Sequence, residues 1–277
     1  MNINIGCHLS VSGGYENMGR VALSIGANTF QFFTRNPRGG GIKTPSDEDI
    51  NGLAKIMEEH NFAPVIAHAP YTFNPCAADE GIRKYTIDTM IDDIKLLEKL
   101  PRAYYNFHPG SHVSQGAEVG IKKTADSLNA ILKHAKNTTV LIETMAGKGS
   151  EVGGRFEELK AIIDGVGSDT VGVCMDTCHV YDAGYDIVND LDGVLEEFDR
   201  VIGLDRLCAL HLNDSKNPFE SHKDRHECIG EGSLGQQTFR NIVNHPRLKG
   251  KPMILETPNT LPGYAREIAL LRGLENT

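Results

Sequence analysis

Eight short runs of β-branched, aromatic and other apolar residues recur along the chain, and each is separated from the next by a segment with helical periodicity. The runs begin roughly 25 to 45 residues apart, which suits one strand, one helix and two loops per unit. This alternation predicts a parallel sheet with helices packed outside it. The predicted strands are residues 2–8, 28–33, 64–68, 103–108, 138–143, 171–176, 206–211 and 252–256.

The composition of the runs also favours parallel strands. Val-Leu-Ile precedes Glu143 and Met-Ile-Leu precedes Glu256, and such continuous apolar runs are typical of strands that are buried on both faces. The segments between the runs are amphipathic, and Ser46 is predicted to cap a helix that continues through His60. We therefore predict one (β/α)₈ TIM barrel domain over residues 1–277, with an open doubly wound sheet as the alternative.

Several classes of protein are disfavoured by what the sequence lacks. No run of about 18 apolar residues could span a membrane, and the first residues do not have the pattern of a signal peptide. Six cysteines without a C-x-x-C pair favour reduced thiols in a cytoplasmic protein. Cys174 and Cys178 flank Asp176 and could be metal ligands, although packing as small apolar side chains is favoured. The formal net charge of −9 argues against a nucleic-acid binder that relies on bulk electrostatics.

Titratable side chains end seven of the eight predicted strands. In a parallel barrel these ends open on one face, which is where the active sites of such barrels lie. Converging imidazoles and carboxylates are costly without a counter-charge, and this mixture favours Zn²⁺, Mn²⁺ or Fe²⁺ over Mg²⁺ or Ca²⁺. The pattern therefore predicts a metal-dependent hydrolase. The strand-end residues are His8, His68, His108, Glu143, Asp176, His211 and Glu256.

Two further clusters extend the predicted site. His179 follows the strand-end residue Asp176 by three positions, and Asp224-Arg225-His226 lies in a long polar loop over residues 213–231. Loops of this length in a compact domain are usually functional. If this loop folds over the barrel mouth, its Asp and His could hold a separate ion together with His179. A solvated loop is the alternative.

The order of these motifs resembles the endonuclease IV family from the first predicted strand to the last. The most specific matches are Asp176-Thr177-Cys178-His179, His211-Leu212-Asn213-Asp214-Ser215 and Asp224-Arg225-His226, which occur in this order. Further matching segments are residues 6–10, 33–38, 67–71, 107–111, 143–147 and 255–258.

The resemblance implies a zinc-dependent phosphodiesterase of base-excision repair, an apurinic/apyrimidinic endonuclease with three metal ions. Manganese or iron could replace zinc at some positions. His8 is not a direct ligand in this family. The implied ligand sets are His68, His108 and Glu143 for one ion; Glu143 again with Asp176, His211 and Glu256 for a second; and His179, Asp224 and His226 for a third.

The implied reaction is hydrolysis of the phosphodiester bond 5′ to an abasic site in double-stranded DNA by a metal-activated hydroxide. It leaves a 3′-hydroxyl and a 5′-deoxyribose phosphate, and 3′-blocking groups are removed as well. Glu143, Asp176 and Glu256 are the implied catalytic carboxylates. Arg38 and Tyr71 match positions that enter the DNA near the lesion. We expect a monomer that acts on duplexes with abasic sites or 3′-blocked ends.

The acidic net charge is compatible with this partner. Three divalent ions carry six positive charges, which would bring the formal −9 to about −3, and they would lie on the side that faces the DNA. Two other functions stay open on the residues alone. A sugar isomerase or epimerase on a similar barrel would use one or two ions, so the third cluster argues against it. A damage-recognition protein without catalysis is disfavoured by the complete ligand set.

Overall fold

Eight parallel strands close into a barrel in this computed structural model, which describes residues 3–36, 44–168 and 170–275. Each barrel strand pairs in parallel with two neighbours, and the last of them closes the barrel against the first. The prediction of a TIM barrel is therefore confirmed, and the open sheet is wrong. The barrel strands are Asn4–Leu9 (β1), Gln31–Phe33 (β2), Val65–His68 (β3), Ala103–Phe107 (β4), Thr139–Glu143 (β5), Val171–Asp176 (β6), Leu207–His211 (β7) and Pro252–Leu255 (β10).

Helices follow the barrel strands and bury their apolar faces against them. Ser46 caps the second helix by accepting a hydrogen bond from the backbone N–H of Asp49, as predicted. Among the described residues, no helix is both long and apolar enough to cross a membrane. The helices are Tyr15–Ser24 (α1), Asp47–Glu59 (α2), Glu80–Leu97 (α3), Ala117–Ile131 (α4), Phe156–Val166 (α5), Thr177–Asp182 (α6), Leu191–Val201 (α7), Gly235–Asn244 (α8) and Leu261–Gly273 (α9).

The largest difference from the predicted strands is at β2, which begins at Gln31 rather than at residue 28. Asn28 and Phe30 still make backbone hydrogen bonds to the neighbouring segments before β2 begins, and two polar side chains add to these contacts. Asn28 Oδ1 accepts from the backbone N–H of Ile5 at 2.8 Å, and Thr29 Oγ1 donates to the carbonyl of Pro64 at 2.7 Å. The chain therefore stays close to its neighbours before regular pairing begins.

A layer of small and branched apolar side chains fills the barrel interior and fixes where the polar residues lie. Each of its five buried members stands two positions before a residue of the predicted metal site. Because side chains of a strand alternate between its two faces, positions two apart share the inner face. The apolar layer therefore directs the next inward position of each strand to the barrel mouth. The five members are Ile66, Leu141, Cys174, Ala209 and Ile254.

The long loop after β7 carries a structure that the sequence pattern did not predict. Asp214–Ser215 (β8) and His226–Glu227 (β9) pair as an antiparallel hairpin. This hairpin folds residues 216–225 back over the barrel mouth. Most residues of this segment are exposed to solvent, but Asp224 and His226 are half-buried and lie against His179 and Asp176.

Candidate metal centre

The nine predicted ligands come together at the carboxyl ends of the strands. Each lies within 4 Å of at least one other member, so that they form one connected cluster of five imidazoles and four carboxylates. The contacts are Glu143 Oε2 to His68 Nε2, 3.0 Å, and to His108 Nε2, 3.4 Å; Glu143 Oε1 to His179 Nδ1, 3.2 Å, and to His211 Nδ1, 3.3 Å; His211 Nδ1 to Asp176 Oδ2, 3.7 Å, and to Glu256 Oε2, 3.2 Å; His226 Nε2 to Asp176 Oδ2, 3.8 Å; and Asp224 Oδ1 to His179 Nε2, 3.2 Å, and to His226 Nε2, 3.5 Å.

The cluster divides into three overlapping groups whose ligand atoms lie within 4.8 Å of one another. Glu143 belongs to two of the groups, and Asp176 also belongs to two. Asp224 lies beside the third group, in contact with both of its imidazoles. The groups are His68, His108 and Glu143; Glu143, Asp176, His211 and Glu256; and Asp176, His179 and His226.

Four of the imidazoles hydrogen-bond to a neutral oxygen through one ring nitrogen and turn the other toward the cluster. A carbonyl oxygen can only accept, so the nitrogen that faces it carries the hydrogen and leaves the other nitrogen free to bind a metal. The outer contacts are His68 Nδ1 to the carbonyl of Ala69, 2.6 Å; His179 Nδ1 to the carbonyl of Thr144, 2.8 Å; His211 Nε2 to Gln31 Oε1, 2.8 Å; and His226 Nδ1 to the carbonyl of Glu256, 3.3 Å.

Three buried amides hold three of the carboxylates, and the sequence analysis did not single them out. Each donates one N–H to one carboxylate oxygen. The sequence did contain a signal for Gln31. It is a polar residue inside an otherwise aromatic run, between Phe30 and Phe32-Phe33, which indicates a special position on the strand. The contacts are Asn106 Nδ2 to Glu143 Oε2, 2.6 Å; Asn213 Nδ2 to Asp176 Oδ2, 2.7 Å; and Gln31 Nε2 to Glu256 Oε1, 2.5 Å.

Buried atoms without a hydrogen-bond partner show that the donor set fits a cation. Among the described residues, three such atoms belong to this centre: Glu143 Oε1, His211 Nδ1 and His226 Nε2. A buried polar atom without a partner is costly, and a divalent cation would supply one. Imidazole nitrogens mixed with carboxylate oxygens suit zinc, manganese and iron.

Protonation states in the cluster show how strongly its charges interact. Burial alone would raise the pKa of Glu143, but the facing His211 and His108 hold that pKa well below its usual range. Burial likewise acts against the charge on His179, yet Asp176 and Asp224 raise its pKa well above the usual value. Without metal, Asp176 and Asp224 therefore favour the protonated form of His179, and a metal ion bound there would have to displace that proton.

Asp182, at the end of α6, holds the loop that carries Asp224. Its buried carboxylate accepts from the backbone N–H of Asp224 at 2.9 Å and from the hydroxyl of Ser215 at 2.7 Å. Asp224 has a left-handed backbone conformation with a φ of 54°, which residues other than glycine rarely adopt. The contact with Asp182 stabilises this conformation and points Asp224 at His179.

We expect Asp182→Ala to lower the affinity for one zinc ion by about 10- to 100-fold, as is usual when a residue that supports a ligand is removed. The cause would be release of Asp224, and the measurement is equilibrium competition with a chromogenic chelator. Asp186→Ala is the matched control, because Asp186 caps a neighbouring turn through Asn189. Equal zinc affinity in the Asp182 and Asp186 variants would contradict the role of Asp182.

The remaining residues considered from the sequence lie around the cluster. The imidazole of His8 is 3.2 Å from Gln31 Nε2 and 4.0 Å from Glu256 Oε1, and burial lowers its pKa to about 4. Cys174 belongs to the apolar layer inside the barrel, and Cys178 is buried outside the three groups. Both cysteines therefore pack as apolar side chains.

The two residues predicted to contact DNA differ in what the structure describes. Tyr71 follows β3 by three residues on the side of the barrel mouth, and it is 55% exposed, which leaves its ring free to contact a partner. Arg38 lies outside the described residues.

Comparison with known proteins identifies the family. A family model described as a xylose isomerase-like TIM barrel matches residues 20–274. A probable endonuclease 4 from Alkaliphilus oremlandii is 60% identical over 271 residues, which cover 98% of this chain and 96% of the relative. One from Bifidobacterium longum is 44% identical over 280 residues, with 99% of each chain covered.

Solved structures agree with this result. Endonuclease IV from Thermus thermophilus superposes with a TM-score of 0.87 at 31% identity over 98% of both chains. A 3-keto-D-glucoside 4-epimerase from E. coli superposes with a TM-score of 0.68 at 14% identity, over 98% of this chain and 99% of that one, and therefore shares the fold alone. With these matches over almost its whole length, the chain belongs to the endonuclease IV family.

Proposed function

We propose that this protein is a DNA repair nuclease that hydrolyses the phosphodiester bond 5′ to an abasic site in duplex DNA. The products would be a 3′-hydroxyl and a 5′-deoxyribose phosphate, and the same site would remove 3′-blocking groups. The observation that carries the proposal is the convergence of eight imidazoles and carboxylates in three overlapping groups, with Asp224 beside the third group. Relatives named probable endonuclease 4 support the nuclease assignment over the full chain.

Three zinc ions are the cofactors we propose, with manganese or iron as alternatives at some positions. His68, His108 and Glu143 would hold one ion, and Asp224 would join His179 and His226 at another. The remaining ion would lie between Glu143, Asp176, His211 and Glu256. When bound, such ions make water more acidic and stabilise negative charge on a phosphate.

The carboxylates have the charge state that this chemistry needs. The pKa of Glu143 and that of Glu256 both lie well below the usual range, because facing imidazoles outweigh the effect of burial, so both groups are charged at neutral pH. Oε1 of Glu143 has no hydrogen-bond partner and faces the space between two groups, so it can orient an attacking water. Glu256 is more exposed than Glu143, so its carboxylate can face the bound substrate as well as the attacking water.

Recognition of the lesion would use the loops around the mouth. A missing base removes stacking, so that turning the nucleotide out of the helix costs least at an abasic site. We propose that the exposed ring of Tyr71 contacts the disturbed stack, with Arg38 as a second contact. The chain would act on this DNA as a monomer built from one barrel domain.

The test is incubation of the purified, zinc-loaded protein with a duplex that carries one abasic analogue. We expect incision immediately 5′ to the analogue, loss of incision after prolonged chelation, and recovery when zinc is restored. Glu256→Gln should lower the rate by at least about 100-fold, a typical effect of removing one group that stabilises transition-state charge. Metal analysis should give close to three ions per chain.

Several outcomes would reject parts of this proposal. An intact duplex under metal-replete conditions would reject the endonuclease function. Binding of the abasic duplex without incision would favour a recognition protein. One or two ions per chain, together with turnover of a ketose, would favour an isomerase.

A further inference from the structure

Gln31 is fully buried on the inner face of β2, the one barrel strand for which no titratable strand-end residue was predicted. Its register neighbours are His8 on β1 and Ile66 on β3. Phe30 and Phe32 on either side belong to the core outside the barrel, which leaves the amide of Gln31 directed into the barrel. The amide of Gln31 therefore lies between the apolar interior residues and the metal centre.

The amide oxygen determines which nitrogen of His211 is free. Gln31 Oε1 accepts a hydrogen bond from His211 Nε2 at 2.8 Å. A neutral imidazole carries one hydrogen, so this contact leaves the lone pair on Nδ1. His211 Nδ1 is the nitrogen that lies 3.3 Å from Glu143 Oε1 and 3.2 Å from Glu256 Oε2, and it has no hydrogen-bond partner among the described residues.

The amide nitrogen of the same residue fixes a second ligand. Gln31 Nε2 donates to Glu256 Oε1 at 2.5 Å, which leaves Oε2 of that carboxylate facing His211. Gln31 Nε2 also lies 3.2 Å from Nδ1 of His8, which can accept its other N–H. Rotating the amide by 180° would oppose two donors at His211 and two acceptors at Glu256, so these neighbours determine its orientation.

We propose that Gln31 is a positioning residue that makes His211 bind metal through Nδ1 and holds Glu256 ready beside it. This inference rests on the proposed metal centre. The inference means that β2 contributes a residue that positions two ligands, although β2 itself supplies no ligand. It also explains why a polar side chain occurs within an aromatic run whose other members pack in the core.

Gln31→Met tests the proposal, because methionine fills a similar volume without the amide. We expect zinc affinity at one ion to fall by about 10- to 100-fold, measured by competition with a chromogenic chelator. The melting temperature of the zinc-free protein should stay within a few degrees of wild type, because the lost contacts serve the metal ligands. Thr29→Val is the matched control: it removes the buried contact with Pro64 from the same segment, and it should leave zinc affinity unchanged.

A spectroscopic measurement distinguishes the role of the amide oxygen, which contacts His211, from that of the amide nitrogen, which contacts Glu256. In zinc-loaded protein labelled with ¹⁵N-histidine, we expect His211 to show a protonated Nε2 and a metal-bound Nδ1. Gln31→Met should shift or broaden the Nε2–H signal. Gln31→Glu keeps an acceptor for His211 but loses the donor to Glu256, so it should preserve that signal while affinity still falls.

Two results would overturn the inference. One is wild-type zinc affinity in Gln31→Met, and the other is an unchanged Nε2–H signal in that variant. Absence of zinc binding by the wild-type protein would instead reject the proposed metal centre, and it is detected before any variant is compared.

Discussion

Glu143→Gln is expected to lower the rate of incision at an abasic site by at least about 1,000-fold while the barrel stays folded. Glu143 is fully buried and belongs to two of the three groups, so one substitution weakens the binding of two ions. Glutamine has the same shape but no negative charge. Stabilisation of charge by a metal ion is worth several kcal/mol, and each 1.4 kcal/mol changes a rate about tenfold.

Single-turnover kinetics with saturating enzyme measure this effect, and metal analysis of the same sample shows which ions are lost. Glu98→Gln is the matched control, because Glu98 accepts backbone hydrogen bonds from residues 136–138, outside the cluster. The control should incise at the wild-type rate. Wild-type incision by Glu143→Gln would remove Glu143 from the mechanism.

Removal of the metal ions is expected to lower the melting temperature by about 10 °C or more. An ion that binds only the folded state stabilises it by about 4 kcal/mol at 1,000 times its dissociation constant. For a domain of this size, 1 kcal/mol corresponds to roughly 2–4 °C.

Calorimetry of the zinc-loaded and the chelated protein measures this difference, and reloading with zinc should restore the higher value. The stabilisation by zinc should shrink as the pH falls. Since the pKa of His179 is raised in the metal-free state, protons compete with zinc below that raised pKa. Equal melting temperatures with and without chelator would show that the fold does not depend on the ions.

The sequence was sufficient to predict the barrel and the side chains that meet at its mouth, because both depend on local patterns. The apolar runs mark the strands, and the strand-end residues follow inward positions such as Leu141 before Glu143 and Ile254 before Glu256. The start of β2 at Gln31 was not predictable from the apolar run, because residues 28–30 are held to the neighbouring segments by backbone and side-chain hydrogen bonds that no local pattern indicates.

Contacts between distant segments of the chain explain what the sequence analysis missed. Gln31 and Glu256 are 225 positions apart, and Asp182 and Asp224 are 42 apart, so no local spacing indicates either pair. A buried glutamine within an aromatic run signals an inward polar position, but the partner becomes visible only when the barrel has closed. The ligand residues were accessible to sequence analysis because most of them end a strand.

The closure of the barrel also determines when the proposed metal centre can be complete during synthesis of the chain. Glu256 directly follows β10, the strand that closes the barrel against β1, and it is the last residue of the proposed centre to leave the ribosome. A nascent chain that ends before this strand lacks one ligand of the second group and has an open sheet edge at β7. The full set of proposed ligands is therefore present only in chains that include β10 and Glu256.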